Sequence, residues 1–318
     1  MPSMGRDLHV NVPLTEHAVH YRPEGFIAEQ FADVVKVGKQ SDAFNIWSQA
    51  DTFRQQSTAR APGTRAKKLV MHVTSETYYA HNYALALANP IEDIENADPG
   101  MWANDRQHQT ETLLDALYLD WEIRLATKVT TGANVGSYAA CGSAWGTAAA
   151  DPFGDVNGMI DNIYDATGIR PNQLVFGETA FRKFIRSPKV KTEIFQGGQG
   201  TTGAPALVTP AMTAALFSVD KVIIGGGFQN TAAEGQTQTL AQIWGENVLA
   251  LYKAPGKNRP SFMKQFRWVK PRLRNFDIVV HPYDTREQSE DIESGYYQDE
   301  KITGKPLCHL LVAVGSST

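Results

Sequence analysis

The sequence predicts an α+β protein in which one domain, built on a single long helix, is interrupted by an inserted α/β unit. Three observations carry this. An apolar stripe with helical spacing runs over residues 104–131. Period-two alternation precedes it over 44–88, and apolar strand candidates return at 276–280 and 307–314. In between, residues 151–252 alternate helix starts with short apolar strands, the pattern of a unit with its own core.

The long helix is the clearest element. Leu114, Leu117, Trp121, Leu125 and Lys128 fall at steps of three and four, and Leu113 and Tyr118 widen the stripe. Asp115, Asp120, Glu122 and Arg124 take the other side, with Asp120 and Arg124 four residues apart as a favourable acid-to-base pair. Asn104 is the expected N-cap, Gln107 occupies the capping-box position, and Gly132 is the expected stop. Such a helix would run roughly 40 Å at about 1.5 Å per residue.

At 318 residues the chain exceeds one ordinary core, so two domains, or one with extensions, are expected. A 42% hydrophobic and 20% charged composition is that of a folded soluble protein, and a net charge of -4 neither selects nor excludes nucleic acid. Cys141 and Cys308 lie far apart without a CxxC spacing, which predicts plain buried thiols in a reducing compartment. The N-terminal residues hold no signal-peptide run, and no stretch approaches 18 apolar residues, so neither export by a classical route nor a membrane span is expected.

In chain order, residues 1–45 have too few apolar groups to close a core and predict an arm that lies on something else. Strand candidates at 45–53 and from Leu69 onward form a hairpin around a polar, basic tip, 54–68, broken by Pro62-Gly63. Tyr79, His81, Tyr83, Leu85 and Leu87 alternate with small residues, continuing the strand character. A two-stranded hairpin is marginal alone in water and needs another surface. In the α/β unit, Asp151-Pro152, Ser187-Pro188 and Thr209-Pro210 each read as a cap followed by a first-turn proline. Strands are expected at 174–176 and 221–224, with a hairpin of 240–244 and 248–252 around Gly245. The two C-terminal strands, separated by a polar loop, are expected to pack on the long helix, which makes its domain discontinuous.

Catalytic signatures are sparse. Residues 198–203 spell GxGxxG, but a helix precedes them and Ala204-Pro205 follows, so a flexible loop is the reading. No GxxxxGK[ST], HExxH or GxSxG occurs, and the eight histidines are scattered. Glu290, Asp291 and Glu293 read as a solvated loop cluster. Residues 253–274 hold eight basic and no acidic residues, interleaved with aromatics, whereas 284–300 hold seven acidic residues and one basic one. Such blocks suit complementary surfaces between copies of the chain, with nucleic-acid contact and internal pairing as the competing readings.

The order of parts, and the wording of DPFGDVNGMIDNIYDATGIRPNQLVFGETAFRKFIRSPKVKTEI, AEGQTQTLAQIWGENVLALYKAP and STARAPGTRAKKLVMHVTSETYYAHNYALALANPIEDIENAD, resemble the major capsid proteins of tailed bacteriophages, which have the Hong Kong 97-type fold. The resemblance implies an N-terminal arm at 1–45, an extended loop at 46–85, a peripheral domain with its spine helix at 86–150 and 253–318, and an axial domain at 151–252. It implies a structural, non-catalytic protein of the virion, assembled in the host cytoplasm, with no cofactor. Its partners would be itself, in pentamers and hexamers of an icosahedral shell around double-stranded DNA, together with a separate scaffolding protein, a portal and a decoration protein. Two alternatives stand beside this reading: an encapsulin-like shell around protein cargo, and an α/β enzyme using a nucleotide at 198–203. The subunit-contact candidates are Arg54, Arg60, Arg65, Lys67 and Lys68 at the hairpin tip, and Arg267, Lys270 and Arg272 facing Glu290 and Asp291.

Overall fold

The structure, a computed structural model, describes residues 23–47, 53–55, 58–66, 68, 72–96, 101–147, 149–194, 208–256, 259–270, 275–284, 288–312, and the single residues Thr15, Ala18 and Val314. The first element with described bounds is a short helix α1 (Ala28–Phe31), followed by strands β1 (Asp33–Val37), β2 (Ser41–Trp47), β3 (Val73–Tyr79) and β4 (His81–Pro90). Helices α2 (Ile91–Asn96) and α3 (Met101–Val129) follow, then β5 (Ser137–Ala140). The α/β stretch comprises α4 (Pro152–Thr167), β6 (Gln173–Gly177), α5 (Glu178–Arg186), α6 (Pro188–Ile194), α7 (Pro210–Phe217), β7 (Lys221–Gly225), β8 (Phe228–Asn230), β9 (Leu240–Gln242) and β10 (Val248–Leu251). The chain ends with β11 (Met263–Trp268), β12 (Asn275–Asp284), β13 (Ser289–Ile302) and β14 (Cys308–Val312).

Helix α3 is the expected spine. It buries Leu113, Leu114, Leu117, Tyr118, Trp121, Leu125, Ala126 and Val129, and the Asp120–Arg124 pair forms at 2.9 Å. Two details differ from expectation. The helix starts at Met101, so Asn104 lies inside it. Glu122, assigned to the polar side, is fully buried. Its carboxylate accepts the backbone N–H groups of Ile27 and Ala28 and the indole N–H of Trp244. Periodicity cannot register a carboxylate whose donors come from about 95 and 120 residues away.

Two sheets flank the spine. In the first, β13 is central: Gln298 pairs with both Arg267 and His81, and Tyr296 with both Asn275 and Tyr83. Strand β4 therefore lies on one side, and β11 and β12 lie end to end on the other, as two halves of an interrupted course. At its restart Phe276 has φ +65°, a backbone state that a bulky residue adopts only when packing enforces it. Here the ring is buried and stacked on Tyr118 and Tyr296. Strand β1 adds to β11 in parallel, and Ile27, Ala28 and Phe31 join the spine core. Residues 27–37 are thus built into their own subunit, a correction to the expectation of an arm without a core of its own.

The second sheet has the order β5-β14-β10-β6-β7. Its middle strands are buried on both faces, so alternate residues serve two cores. Val175, Leu249, Leu251 and Leu310 face the spine cluster, whereas Leu174, Phe176, Val248, Ala250 and Leu311 face α4–α7. The predicted caps hold at two of the three sites: Asp151 accepts from Gly154 N and Thr209 from Met212 N, and Gly168 closes α4 in the left-handed region. Pro188 opens the third helix.

Two expectations are corrected, and a third, that the last strand packs on the spine, holds with a difference. The polar loop before the last strand is the 14-residue β13. The hairpin around Gly245 does not form. Instead β9 pairs with β8, while β10 pairs with β6 and β14. The turn between them is held by Trp244, whose ring packs so closely on Gly225 that any Cβ there would overlap it. Finally, β14 turns one face to the spine core but takes its hydrogen bonds from β10 and β5. The 253–318 segment is therefore divided between the two sheets.

Candidate subunit-contact surfaces

The hairpin β2–β3 is anchored at its root and polar at its tip. Phe44 and Tyr78 lie over Phe266 at ring separations of 5.1 and 4.6 Å, and with Val37 they form a small separate core. Away from this root, every described residue from Val73 to Thr77 is exposed. The tip turns at Ala61–Thr64, where Gly63 has φ +80° and Thr64 N donates to Ala61 O. Arg54, Arg60, Arg65 and Lys68 are all exposed there, with no ion pair among the described residues, and Lys67 lies outside those residues. An anionic surface brought from elsewhere would satisfy these exposed cations.

The second group of candidates is placed differently. Arg267, expected on the surface, is 9% exposed. Its Nε and Nη2 donate to Gln298 Oε1 at 3.0 and 2.7 Å, and its guanidinium lies 4.9 Å from Trp121 and 5.1 Å from Phe276. A desolvated cation over aromatic faces contributes about 2 kcal/mol. Glu290 takes Arg106 Nη2 at 2.6 Å, and Asp291 accepts from Ser289 Oγ. Glu293 meets His281 at 2.7 Å. Lys270 is exposed, while Arg272 lies outside the described residues. The pairing expected between Arg267 and the acidic block is thus replaced by contacts within the subunit.

The acidic block stays inside because β13 is central and crosses the spine. Arg124 is the hub. It donates to Asp120, to Glu300 at 2.8 Å and to Tyr296 Oη at 2.7 Å, and it stacks 3.7 Å over Tyr83. Glu300 is only 4% exposed and has Lys128 at 3.8 Å as a second cation. Burial raises the Tyr296 hydroxyl above its ordinary pKa; burial also works to lower that of Arg124, but its contacts with Tyr296, Glu300 and Asp120 raise it.

Several apolar side chains are exposed without a distinctive sequence signal for it, Phe53, Tyr138, Phe228 and Leu240, and Tyr164, which the helical pattern of α4 places inward with Ile160 and Ile163, is exposed as well. Phe228 and Leu240 stand on the two-stranded β8–β9 ribbon. The only sequence signal for them is an apolar residue set among polar neighbours, which is also how many core positions read.

Among the described residues no group of three or more His, Cys, Asp or Glu could hold a metal, and no helix is long and apolar enough to cross a membrane. Cys141 and Cys308 are free and buried, and burial raises both thiols above their ordinary pKa. Residues 198–203 lie outside the described residues.

Comparison with known proteins agrees with this architecture. The profile of the family described as "Phage major capsid protein E" matches residues 112–238. The chain is 25% identical over 256 residues to the major capsid protein of Burkholderia phage BcepMu, covering 76% of each. Among solved structures it is similar to a phage-related protein from Bordetella bronchiseptica RB50, with a TM-score of 0.71 at 19% identity over 97% of this chain and 99% of that one. It is also similar to the capsid protein of cyanophage P-SCSP1u, with a TM-score of 0.59 at 12% identity over 93% and 90%. The resemblance to tailed-phage major capsid proteins holds in sequence, and the fold is of the Hong Kong 97 type.

Proposed function

From a chain with the sequence likeness and the fold of tailed-phage major capsid proteins, we propose that this protein is the structural subunit of an icosahedral phage head. Copies form pentamers and hexamers, the shell encloses double-stranded DNA without reading its sequence, and the protein resides in the virion after assembly in the host cytoplasm. A separate scaffolding protein and a portal are the partners this reading expects. Its role is architectural, with no cofactor.

One observation carries the reading: the β2–β3 hairpin, fixed at its root by Phe44, Tyr78 and Phe266, carries an exposed cationic tip that has no ion pair among the described residues. A shell in which each subunit reaches its neighbours supplies the missing surface, and heterologous contacts close such chains into rings and shells. The buried network around Arg124 supports the same reading, because it gives a rigid body from which such a hairpin can be presented.

Electron microscopy of the expressed chain, alone and with a candidate scaffold, should show closed shells. Deleting residues 56–66 should leave the circular dichroism of the subunit nearly unchanged and abolish particles; loss of soluble folded subunit would instead make the tip part of the fold. Particles filled with protein cargo and free of DNA would point to a compartment shell. Assays against common ester, peptide and phosphate substrates should stay at background, and an activity removed by one point substitution would overturn the non-catalytic role.

A further inference from the structure

The α4–α7 face of the second sheet carries an acidic and a basic surface that no ion pair joins among the described residues. On α4, Val156, Met159, Ile160 and Ile163 face the core, while Asp161, Tyr164 and Asp165 share the outer stripe. The helix contains no lysine, arginine or histidine. Asp161 and Asp165 stand four residues apart near its C-terminus, so each opposes the other and the partial negative charge of the helix end. Neither has an ion pair among the described residues. The same end exposes aromatic surface: Tyr164 is 53% exposed, and Phe53, 66% exposed, sets its ring against Gly168 one turn further on.

Complementary charge sits on α5 and α6, where Arg182, Lys183, Arg186, Lys189 and Lys191 outnumber Glu178 and Glu193. Arg182 meets Glu178, Lys183 meets Glu246 and Lys189 meets Asp151, while Arg186 and Lys191 are exposed on the outer face. The Lys189–Asp151 contact, 3.3 Å, fixes where this basic face lies, because Asp151 is the N-cap of α4. Asp165 is at the other end of that helix, roughly 20 Å away at about 1.5 Å per residue. That is more than twice the screening length of about 8 Å at physiological salt. Among the described residues no ion pair joins Asp161 or Asp165 to Arg186 or Lys191 within a subunit.

We propose that the Asp161, Tyr164 and Asp165 stripe of α4 docks on the Arg186 and Lys191 face of α5 and α6 in a second copy of this chain. The contact is heterologous, so repeating it turns a row of subunits into a ring. It rests on the shell reading above and assigns the ring contact to named faces. Charge complementarity selects the occupant: the cations relieve the repulsion at the end of α4, and Tyr164 and Phe53 supply an apolar centre within a charged rim.

Two charge-reversed variants test this, Asp161→Lys with Asp165→Lys, and Arg186→Glu with Lys191→Glu. Like-charge juxtaposition costs several kcal/mol, so each should lower particle yield about tenfold or more at physiological salt with the subunit's circular dichroism unchanged. A chain carrying all four reversals should recover assembly. Independently, Tyr164→Cys combined with Arg186→Cys should give a ladder of disulfide-linked oligomers on mild oxidation, since the native cysteines are buried. Should a reversal variant misfold, the cysteine pair decides alone. Assembly of both reversal variants at wild-type yield, or a cysteine pair that stays monomeric inside intact particles, overturns the proposal and leaves the shell reading standing. Failure of the unaltered chain to form any particle removes both.

Discussion

At the scale of single residues, Glu122 decides how distant segments meet. Its carboxylate holds the first backbone N–H groups of α1 and the indole of Trp244, so the spine, the N-terminal segment and the second sheet share one acceptor. Glu122→Ala strands three buried donors at about 1–3 kcal/mol each, and the unassembled subunit should lose about 3 kcal/mol or more in chemical denaturation. The group also sets a pH dependence. Burial raises its pKa, outweighing the donors that lower it. A carboxyl raised on folding contributes its full share below the unfolded value, about 4.3, and loses it as pH rises through the folded value. Glu122→Gln removes that titration, so wild-type stability should fall more than the variant's across this window. Parallel profiles would show that burial of Glu122 does not govern it.

Among the elements, legibility followed the source of the packing energy. Helix α3 and the capped α4 and α7 were readable because their apolar residues repeat at the helical period and their caps are local. Strand β13 was not. Ser289, Ser294, Gln298, Asp299 and Glu300 are buried along it, and the larger polar groups find partners on other elements: Gln298 meets Arg267 and Gln265 of β11, Glu300 meets Arg124 of the spine, and Asp299 accepts from Tyr79 N of β3. A strand stabilised by distant ion pairs reads as a polar loop. For the same reason the surface residues were half legible: the tip arginines stand where the local composition puts them, whereas Arg267 and Glu290 found partners that no spacing rule could supply. Gly295 tests the idea that close strand approach, rather than apolar content, holds β13 to β4. A Cβ there would come 2.7 Å from Tyr83 O and 2.8 Å from the Ala84 methyl. Gly295→Ala should cost about 1–3 kcal/mol through overpacking and speed amide exchange along β4. Unchanged protection of residues 81–90 would show that β4 has room to spare.

At the scale of the whole molecule, charge is divided between two tasks. Inside, Arg106, Arg124 and Arg267 are committed to β13 in sites largely shielded from water. Outside, the hairpin tip, Asp161 and Asp165 at the end of α4, and Arg186 and Lys191 on the α5–α6 face are exposed and have no ion pair among the described residues. Salt acts on these two populations differently, because screening falls on exposed charges far more than on buried ones. Raising sodium chloride from about 0.1 to 1 M shortens the screening length from roughly 10 to 3 Å. Each exposed pair contributes only about 0–1 kcal/mol, but a shell repeats it at every subunit contact. Assembly followed by light scattering should therefore weaken steeply over that range, while the denaturation midpoint of the unassembled subunit should stay nearly constant. A subunit midpoint that falls in step with assembly would mean that the internal network is itself exposed to solvent ions and that charge is not divided in this way.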